Sequence, residues 1–445
     1  MASTYIKRVD TTDGNKKVWT WSAWVKLDNT STAGQNMFSA GGNNVDEAQF
    51  KFANNTLSFF NDYATTGRVS SSTLSRLFRD LNGWYHFVWR HKVDEASNDD
   101  RWKIYINGER LQPSDYGSPT IPNEEGVYNR FTNKQMWFGA RAKAQFDSSY
   151  QYFSGLMSHI HFCDGYAYDA TDFGEYDANG VWTIKTSPSV NYGTHGFFIL
   201  KDGNSVTDQS GNGNDCTVGG GTLTNTEDNP SNVFATWNPL VPPVASNHAV
   251  ENGNTTVRGT TSANVDTAFT TLAVSEGKYY CEMKLTQEGN ATSSVPNFGI
   301  GSTSDFVNAP DEAYYDTSGV NLYVGRVNST QINHNGSAEG TSFSTAYDVG
   351  DIVGLALDLD SATKTLKFYI NGTLNATINI NADEYCFICA VKADTNQAQV
   401  DANFGNGYFG TTAVASAGTN ASGIGIFEYD VPTGYTALST KGLNL

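Results

Sequence analysis

The sequence predicts an all-β protein built from two antiparallel β-sandwich domains of the jelly-roll type in tandem. Three observations predict it: short segments in which apolar and polar residues alternate, turn-forming residues between these segments, and one hairpin motif that occurs in each half. Of the 445 residues, 39% are hydrophobic and 43 are glycines, which is enough for two cores and many turns.

The clearest strand pattern lies near the start of the chain, in Val18–Val25. Trp19, Trp21 and Val25 fall on one face of such a strand, because successive side chains point to opposite sides. This alternation predicts a strand, and we expect its tryptophans, including Trp24 on the other face, to pack in the core.

A short motif, Lys-x-Tyr-Ile-Asn-Gly, occurs at 103–108 and again at 367–372. In both places it forms the second arm of a predicted hairpin and ends in Asn-Gly. This pair favours a type I′ turn, in which both central residues need a positive φ. The repetition indicates one architecture used twice.

Between the halves the strand pattern disappears. Residues 202–232 are mostly Gly, Asn, Thr and Asp, and three prolines follow at 239, 242 and 243. We predict a first domain over 1–205, a linker over 206–232 and a second domain over 233–445.

Composition excludes several classes of protein. The net charge of −18 with no basic run disfavours nucleic acid as a partner, and five cysteines are an odd number for a disulfide framework. No stretch approaches the roughly 20 apolar residues that span a bilayer, and no signal-peptide pattern opens the chain. We expect no membrane insertion and synthesis in a cytoplasm.

The strand series resembles two known families. Over about 5–200 the chain resembles concanavalin A-like lectin and laminin-G domains, and over about 233–435 it resembles SPRY domains. The segments that carry the resemblance are Trp19–Leu27, Gly83–Val93 and Lys103–Leu111 in the first half, and Gly277–Met283, Phe298–Gly301, Gly350–Gly354 and Ala402–Gly405 in the second.

This tandem is similar to virion proteins of tailed phages, particularly marine ones. The resemblance implies a tail fibre, appendage or capsid-surface protein that is made in the host cytoplasm, acts outside the cell and forms a homo-oligomer. Its partners would be a host surface glycan or receptor and other virion proteins. A purely structural assembly protein and a soluble lectin are the alternatives.

A glycoside hydrolase is a further alternative, since concanavalin A-like folds also host such enzymes. Hydrolysis needs two carboxylates that face the same bond. The nearest run, Glu175-Tyr176-Asp177, is not followed by a second Glu. We therefore expect binding and no enzymatic activity.

Loops with aromatic and amide or carboxylate side chains are the predicted ligand-binding residues, because sugars stack on aromatic rings and bond to polar groups. These residues are Asn61, Asp62, Tyr63, Asp311, Tyr314, Tyr315 and Asp316. We expect no cofactor other than calcium. Oxygen donors and glycines that could bind calcium cluster between 202 and 215. Its predicted ligands are Asp202, Asp208, Asn212 and Asp215.

Two histidines, His159 and His161, flank Ile160 and would share one face of a strand. Two imidazoles in this arrangement can bind a metal, but no third ligand except Asp164 is near in sequence. We expect them instead on a solvated strand face.

Overall fold

The computed structural model divides the chain into two compact units, Met1–Asn225 and Thr226–Leu445. It describes residues 3–10, 12, 14–28, 34–41, 47–63, 67–70, 74, 76–121, 135–142, 149–201, 203, 205–240, 248–260, 265–289, 296–305, 319–392 and 396–445. No helix in these ranges is long and apolar enough to cross a bilayer.

The described part of the first unit consists of strands, one short helix and two 3-10 turns, at Pro113–Tyr116 and Ala170–Asp172. The elements are β1 (Tyr5–Val9), β2 (Val18–Leu27), β3 (Gln35–Gly41), β4 (Glu47–Ala53), β5 (Thr56–Tyr63), β6 (Gly67–Ser70), β7 (Tyr85–Lys92), α1 (Asn98–Arg101), β8 (Trp102–Ile106), β9 (Glu109–Arg110), β10 (Gln135–Phe138), β11 (Gly155–Asp164), β12 (Gly174–Tyr176), β13 (Trp182–Ile184), β14 (Phe197–Ile199) and β15 (Thr217–Gly220).

The second unit has the same character and ends in a 3-10 turn at Gly442–Asn444. Its strands are β16 (His248–Glu251), β17 (Thr256–Gly259), β18 (Asp266–Phe269), β19 (Lys278–Gln287), β20 (Asn297–Ser302), β21 (Leu322–Arg326), β22 (Gln331–His334), β23 (Ser337–Ser342), β24 (Ile352–Asp358), β25 (Thr365–Ile370), β26 (Thr373–Asn379), β27 (Tyr385–Val391), β28 (Gln399–Asn403), β29 (Tyr408–Phe409), β30 (Thr412–Ala413) and β31 (Thr436–Ala437).

Each unit is a sandwich of two antiparallel sheets, and the two units share one topology. In the first unit the sheets run β15-β1-β10-β3-β4-β5-β6 and β14-β11-β2-β7-β8-β9. In the second they run β18-β27-β20-β21-β22-β23 and β16-β17-β28-β19-β24-β25-β26, with β31 parallel to β19. Strands β1 to β11 therefore correspond one by one to β18 to β28. The predicted tandem of sandwiches is confirmed, and the repeated motif marks this shared topology.

The core of the first unit lies between its sheets, and aromatic rings dominate it. Trp21 of β2 packs against Phe38 and Phe50 of the facing sheet, with ring centroids 5.2 and 5.0 Å apart. All three side chains are fully buried. Burial of one such ring contributes about 2 kcal/mol or more, so the tryptophan face predicted for β2 is a main source of stability.

The core of the second unit is built in the same way and also uses aromatic contacts. Phe368 of β25 meets Phe343 edge to face at 5.2 Å, and Phe298 of β20 stacks on Tyr347 at 5.3 Å. All five cysteines of the chain are free and buried, so burial and hydrogen bonding hold both units together.

The two Asn-Gly turns have the predicted conformation and a common set of bonds. Asn107 and Gly108 have φ values of 48° and 80°, and Asn371 and Gly372 have 49° and 77°. The Asn107 side chain accepts a hydrogen bond from the backbone N–H of His86 (2.7 Å), while its own N–H donates to the His86 carbonyl (2.9 Å). Asn371 forms the same pair of bonds with the backbone of the first residue of β24.

In both units an aromatic ring from a later segment covers the glycine of this turn. A Cβ at Gly108 would overlap the Trp182 ring, and one at Gly372 would overlap the Tyr429 ring. The glycines are therefore required by conformation and by contact.

Gly108→Ala tests this requirement. We expect it to destabilise the first unit by about 2–4 kcal/mol, because it combines an unfavourable positive φ with overlap of a packed ring. Gly180→Ala is the matched control, since Gly180 has φ 79° but an added Cβ would meet nothing within 4 Å. Calorimetry of the two variants should separate strain from overlap; equal losses of stability would contradict the role of Trp182.

The predicted linker, 206–232, is not a separate segment. Residues up to Asn225 belong to the first unit, where β15 pairs with β1 and Cys216 is buried in the core. Asn229 and Asn232 bridge each other at the start of the second unit. The segment is held in place because β15 pairs with a strand about two hundred residues earlier. A sequence rich in Gly, Asn, Thr and Asp does not predict such pairing.

Candidate functional site

Three loops of the first unit form a cleft with a volume of about 460 Å³. One loop follows β11, the second precedes β14, and the third lies between β14 and β15. The residues that line the cleft are Tyr168, Ser189, Val190, Asn191, Tyr192, Ser210 and Asn212. We call this feature the loop cleft. Its lining carries no charged side chain, so hydroxyl and amide groups and two aromatic rings determine what it can bind.

Tyr168 stands on the wall formed by the loop after β11. Its hydroxyl oxygen accepts a hydrogen bond from the backbone N–H of Asn191 at 2.7 Å. Burial raises the pKa of Tyr168, so the hydroxyl keeps its proton and can donate it to a ligand. The ring stacks on that of Tyr166, with centroids 6.0 Å apart and planes within 13°.

Tyr192 lines the cleft from the loop that precedes β14 and is anchored by a buried histidine. Its hydroxyl shares a hydrogen bond of 2.9 Å with Nδ1 of His161, which is 2% exposed. Its ring lies nearly parallel to that of Phe198 at 6.3 Å. Burial raises the pKa of Tyr192 and lowers that of His161, so both groups are neutral near pH 7. The wall is therefore uncharged and rigid.

Asn191 and Asn212 are each fixed through one end of the amide. Asn191 accepts from the backbone N–H of Gly193 at 2.9 Å, and Asn212 donates to the carbonyls of Gly193 and Gly196 at 2.7 and 3.0 Å. Within the described residues, Nδ2 of Asn191 and Oδ1 of Asn212 have no hydrogen-bond partner. The cleft thus offers an oriented donor and an oriented acceptor, which is what a sugar hydroxyl pairs with.

The loop predicted to bind calcium is held together by Asp208. Its Oδ1 accepts from the backbone N–H groups of Phe198 (2.9 Å) and Ser210 (2.8 Å), and its Oδ2 accepts from the Ser210 hydroxyl (2.8 Å) and the Asn214 N–H (2.9 Å). Asp215 in turn accepts from the N–H of Asp208 at 2.8 Å. Every donor points at the carboxylate, an arrangement that favours a turn over a cation. No group of three or more metal-ligating side chains occurs in the described ranges.

Asp208→Ala is expected to lower the free energy of unfolding of the first unit by about 2–3 kcal/mol, because it leaves several donors without an acceptor. Asp215→Ala should lower the free energy of unfolding by less, since the exposed Asp215 carboxylate accepts a single hydrogen bond, from the N–H of Asp208. The calcium prediction and the hydrogen-bonded role also differ in their effect on melting. A calcium-dependent rise in melting temperature would support the metal, and an unchanged temperature would support the turn.

Of the other predicted ligand residues, Asn61 does not line the loop cleft. Asn61 is fully buried on the face of β5 that carries Phe59, and its amide has no hydrogen-bond partner. A surface ligand cannot reach it, because Asn61 belongs to β5 and not to the loop that the sequence predicts. The side chains of Asp62 and Tyr63 lie outside the described part of the chain, as do the following residues: Asp311, Tyr314, Tyr315, Asp316 and Asp202.

The expectation that His159 and His161 lie on a solvated face is wrong. They are 5% and 2% exposed, and a bulge in β11 separates them, with His159 at φ 49°. His161 stacks on Phe198 at 4.0 Å. The segment between β11 and β14 covers this outer sheet face, which strand alternation alone cannot reveal.

Comparison with known proteins agrees with the fold of the first unit. Residues 2–167 match the family Laminin_G_3, described as the concanavalin A-like lectin/glucanases superfamily. This match bears out the laminin-G-like resemblance of the first half. A search of curated protein sequences finds no match.

Several solved structures are similar to parts or all of the chain. The SPRY domain of human HERC1 is 18% identical with a TM-score of 0.29, covering 35% of this chain and 91% of its own. The PSpry domain of TRIM65 is 14% identical with a TM-score of 0.29, covering 38% and 90%. Domains LG4-5 of the mouse laminin alpha1 chain are 10% identical with a TM-score of 0.28, covering 90% and 85%. Likenesses this distant carry no functional argument, and the strand order given above establishes the fold.

Proposed function

We propose that the first unit binds carbohydrate through the loop cleft and that the protein does so without catalysis. The observation that carries the proposal is an uncharged lining of two tyrosine rings, hydroxyl groups and two half-used amides. Sugar rings stack on aromatic faces, and their hydroxyls pair with such donors and acceptors. The match of this half to lectin-like domains supports the same function.

A glycan array probed with the full chain tests the proposal. Tyr168→Ala should weaken binding about tenfold or more, because it removes a stacking surface and a donor. Tyr168→Phe keeps the ring and should weaken glycan binding less than Tyr168→Ala. Tyr176→Ala is the control, since Tyr176 is 56% exposed and does not line the cleft. Unchanged binding by folded Tyr168→Ala would contradict the site.

The absence of catalysis is tested on the same ligands, which should be recovered intact after prolonged incubation. The nearest carboxylate run to a hydrolase pair, Glu175-Tyr176-Asp177, supports this expectation by the role of its second carboxylate. Asp177 accepts from the backbone N–H groups of Asn179 and Val181, both at 2.8 Å, and so closes the turn between β12 and β13. Shortened oligosaccharides would contradict the proposal.

The setting we propose is the surface of a tailed-phage virion, as a homo-oligomeric fibre, appendage or capsid-surface protein. The tandem resemblance described above supports this placement, as does a strand-rich chain with few charges. Mass spectrometry of purified particles and light scattering of the purified protein test it. A monomer that is missing from particles would leave a soluble lectin, and a particle protein without glycan binding would leave an assembly role.

A further inference from the structure

The loop cleft lies in the part of the first unit in which acidic residues outnumber basic ones. Residues 151–225 contain eight acidic residues and two basic ones, Lys185 and Lys201, whereas residues 1–150 contain sixteen and eighteen. All three loops of the cleft come from this segment. The cleft is therefore built from a segment with six more acidic than basic residues.

The two lysines of this segment are not placed at the cleft. Lys185 donates to the carbonyl of Thr171 at 2.8 Å and lies 3.9 Å from Glu175, while Lys201 lies over the ring of Phe198. Arg8, which contacts the same segment, is bound to Asp10 and to the Asn214 side chain. Among the described residues no cation lines the cleft, and a sulfate or carboxylate there would find no counter-charge.

Tyr166 extends the aromatic surface beyond the cleft. It is 38% exposed and stacks on Tyr168, and its carbonyl accepts from the Thr20 hydroxyl at 2.9 Å, which fixes the loop. Two nearly parallel rings, of which one lines the cleft and the other packs beside it, extend the aromatic surface to a second position. This arrangement suits a chain of sugars better than a single one.

We infer that the loop cleft selects uncharged oligosaccharides over sulfated or uronic-acid-containing ones and that Tyr166 contributes a further subsite. The inference rests on the proposed carbohydrate-binding function and names the class of ligand. An anionic sugar must enter against the acidic segment without a partner, and like-charge approach disfavours it. A neutral sugar needs only the hydrogen bonds and rings that the cleft supplies.

The test is an array on which neutral galactan, glucan, mannan and xylan oligosaccharides are printed beside their sulfated or uronic counterparts. We expect the full chain to bind neutral members about tenfold or more tightly, with an affinity that is independent of salt. Preference for the anionic members would overturn this inference and leave carbohydrate binding intact. Binding to no member would overturn both proposals.

Two variants locate the selectivity in the cleft. Ser189→Lys places a cation in the lining and should raise affinity for sulfated oligosaccharides, whereas Ser187→Lys, at an exposed position outside the lining, should not. Tyr166→Ala should weaken binding of long neutral oligosaccharides several-fold and leave disaccharides unaffected, with Tyr176→Ala as the control. Equal effects of the two lysine variants, or of Tyr166→Ala on short and long ligands, would contradict the assignment.

Discussion

Lowering the pH from 7 to 5 is expected to destabilise the first unit by roughly 6 kcal/mol, through three buried histidines. Burial lowers the pKa of His86 and His91 from the ordinary value of 6.5 to about 3, and it holds the pKa of His161 well below 6.5. These groups stay neutral in the folded state and become charged on unfolding. Their stabilising effect is complete above about pH 6.5 and is lost as the pH falls toward the folded-state values.

Hydrogen bonds explain why these rings resist a second proton. The indole N–H of Trp182 donates to Nδ1 of His86 at 3.1 Å, and that of Trp102 donates to Nδ1 of His91 at 2.9 Å. A proton on either Nδ1 would face another donor. Each histidine therefore costs about 1.4 kcal/mol for every pH unit below its unfolded-state pKa.

Thermal unfolding of the first unit between pH 7.5 and 4.5 measures this slope. His86→Gln keeps an acceptor for Trp182 but does not titrate, so it should flatten the slope by about a third. An identical slope in His86→Gln and the parent protein would show that acid sensitivity arises elsewhere.

Local chemistry explains the parts of this fold that could be predicted from sequence. Strand β2 shows its core face through alternation, and the two Asn-Gly turns need residues that accept a positive φ. Both features depend on a few residues that are adjacent in sequence, and the folded chain keeps them. They also locate the hairpins that correspond in the two units.

Long-range contacts explain the parts that could not be predicted. Strand β15 is stabilised by pairing with β1, and its own sequence, Thr-Val-Gly-Gly, is too short and glycine-rich to predict a strand. The loop cleft is formed by three separate loops of one segment, and of its lining the sequence pattern indicates only Asn212, as a calcium ligand. The carboxylate oxygens of Asp208 predict a calcium ligand. In the folded chain they accept hydrogen bonds from neighbouring groups, which come together only on folding.

The second unit should respond to pH in the opposite direction, because Glu282 on β19 is fully buried. Burial raises the pKa of this carboxyl from its ordinary value of 4.5 to about 7, although four groups donate to it. The folded state therefore holds the proton more tightly than the unfolded state. The contribution of Glu282 to the stability of the second unit is complete below about pH 4.5. It declines as the pH rises through 7, by about 2–3 kcal/mol between pH 5 and 8.

The donors to Glu282 show what the carboxyl holds in place. The backbone N–H groups of Glu428 and Tyr429 donate at 2.8 and 2.9 Å, the Tyr280 hydroxyl at 3.2 Å and the Asn403 amide at 3.4 Å. Among the described residues no cation is paired with it. The other titratable groups that influence it are Tyr280 and the carboxyl of Glu428, and neither offers positive charge.

Glu282→Gln separates the cost of charge from the gain of hydrogen bonding. The amide keeps one acceptor and never ionises, so the loss of stability above pH 5 should disappear. Glu276→Gln, an exposed substitution in the same unit, should keep the slope of the parent protein. A Glu282→Gln protein that still loses stability as the pH rises would contradict this account.

Glu282→Ala removes both acceptors and should cost the second unit about 3 kcal/mol, since two backbone donors are left without partners. The effect should be concentrated in residues 415–431, which fold on themselves through bonds such as Gly418 N–H to the Phe427 carbonyl and Val431 N–H to the Thr419 carbonyl. The backbone N–H groups of Glu428 and Tyr429 tie this loop to Glu282, and that of Ile426 ties it to the Gly405 carbonyl. Loss of the first two ties should let the loop open while the sandwich stays folded. Faster hydrogen exchange of the Glu428 and Tyr429 amides, with β24 still protected, would be the expected signature, whereas uniform loss of protection would mean that Glu282 stabilises the whole unit.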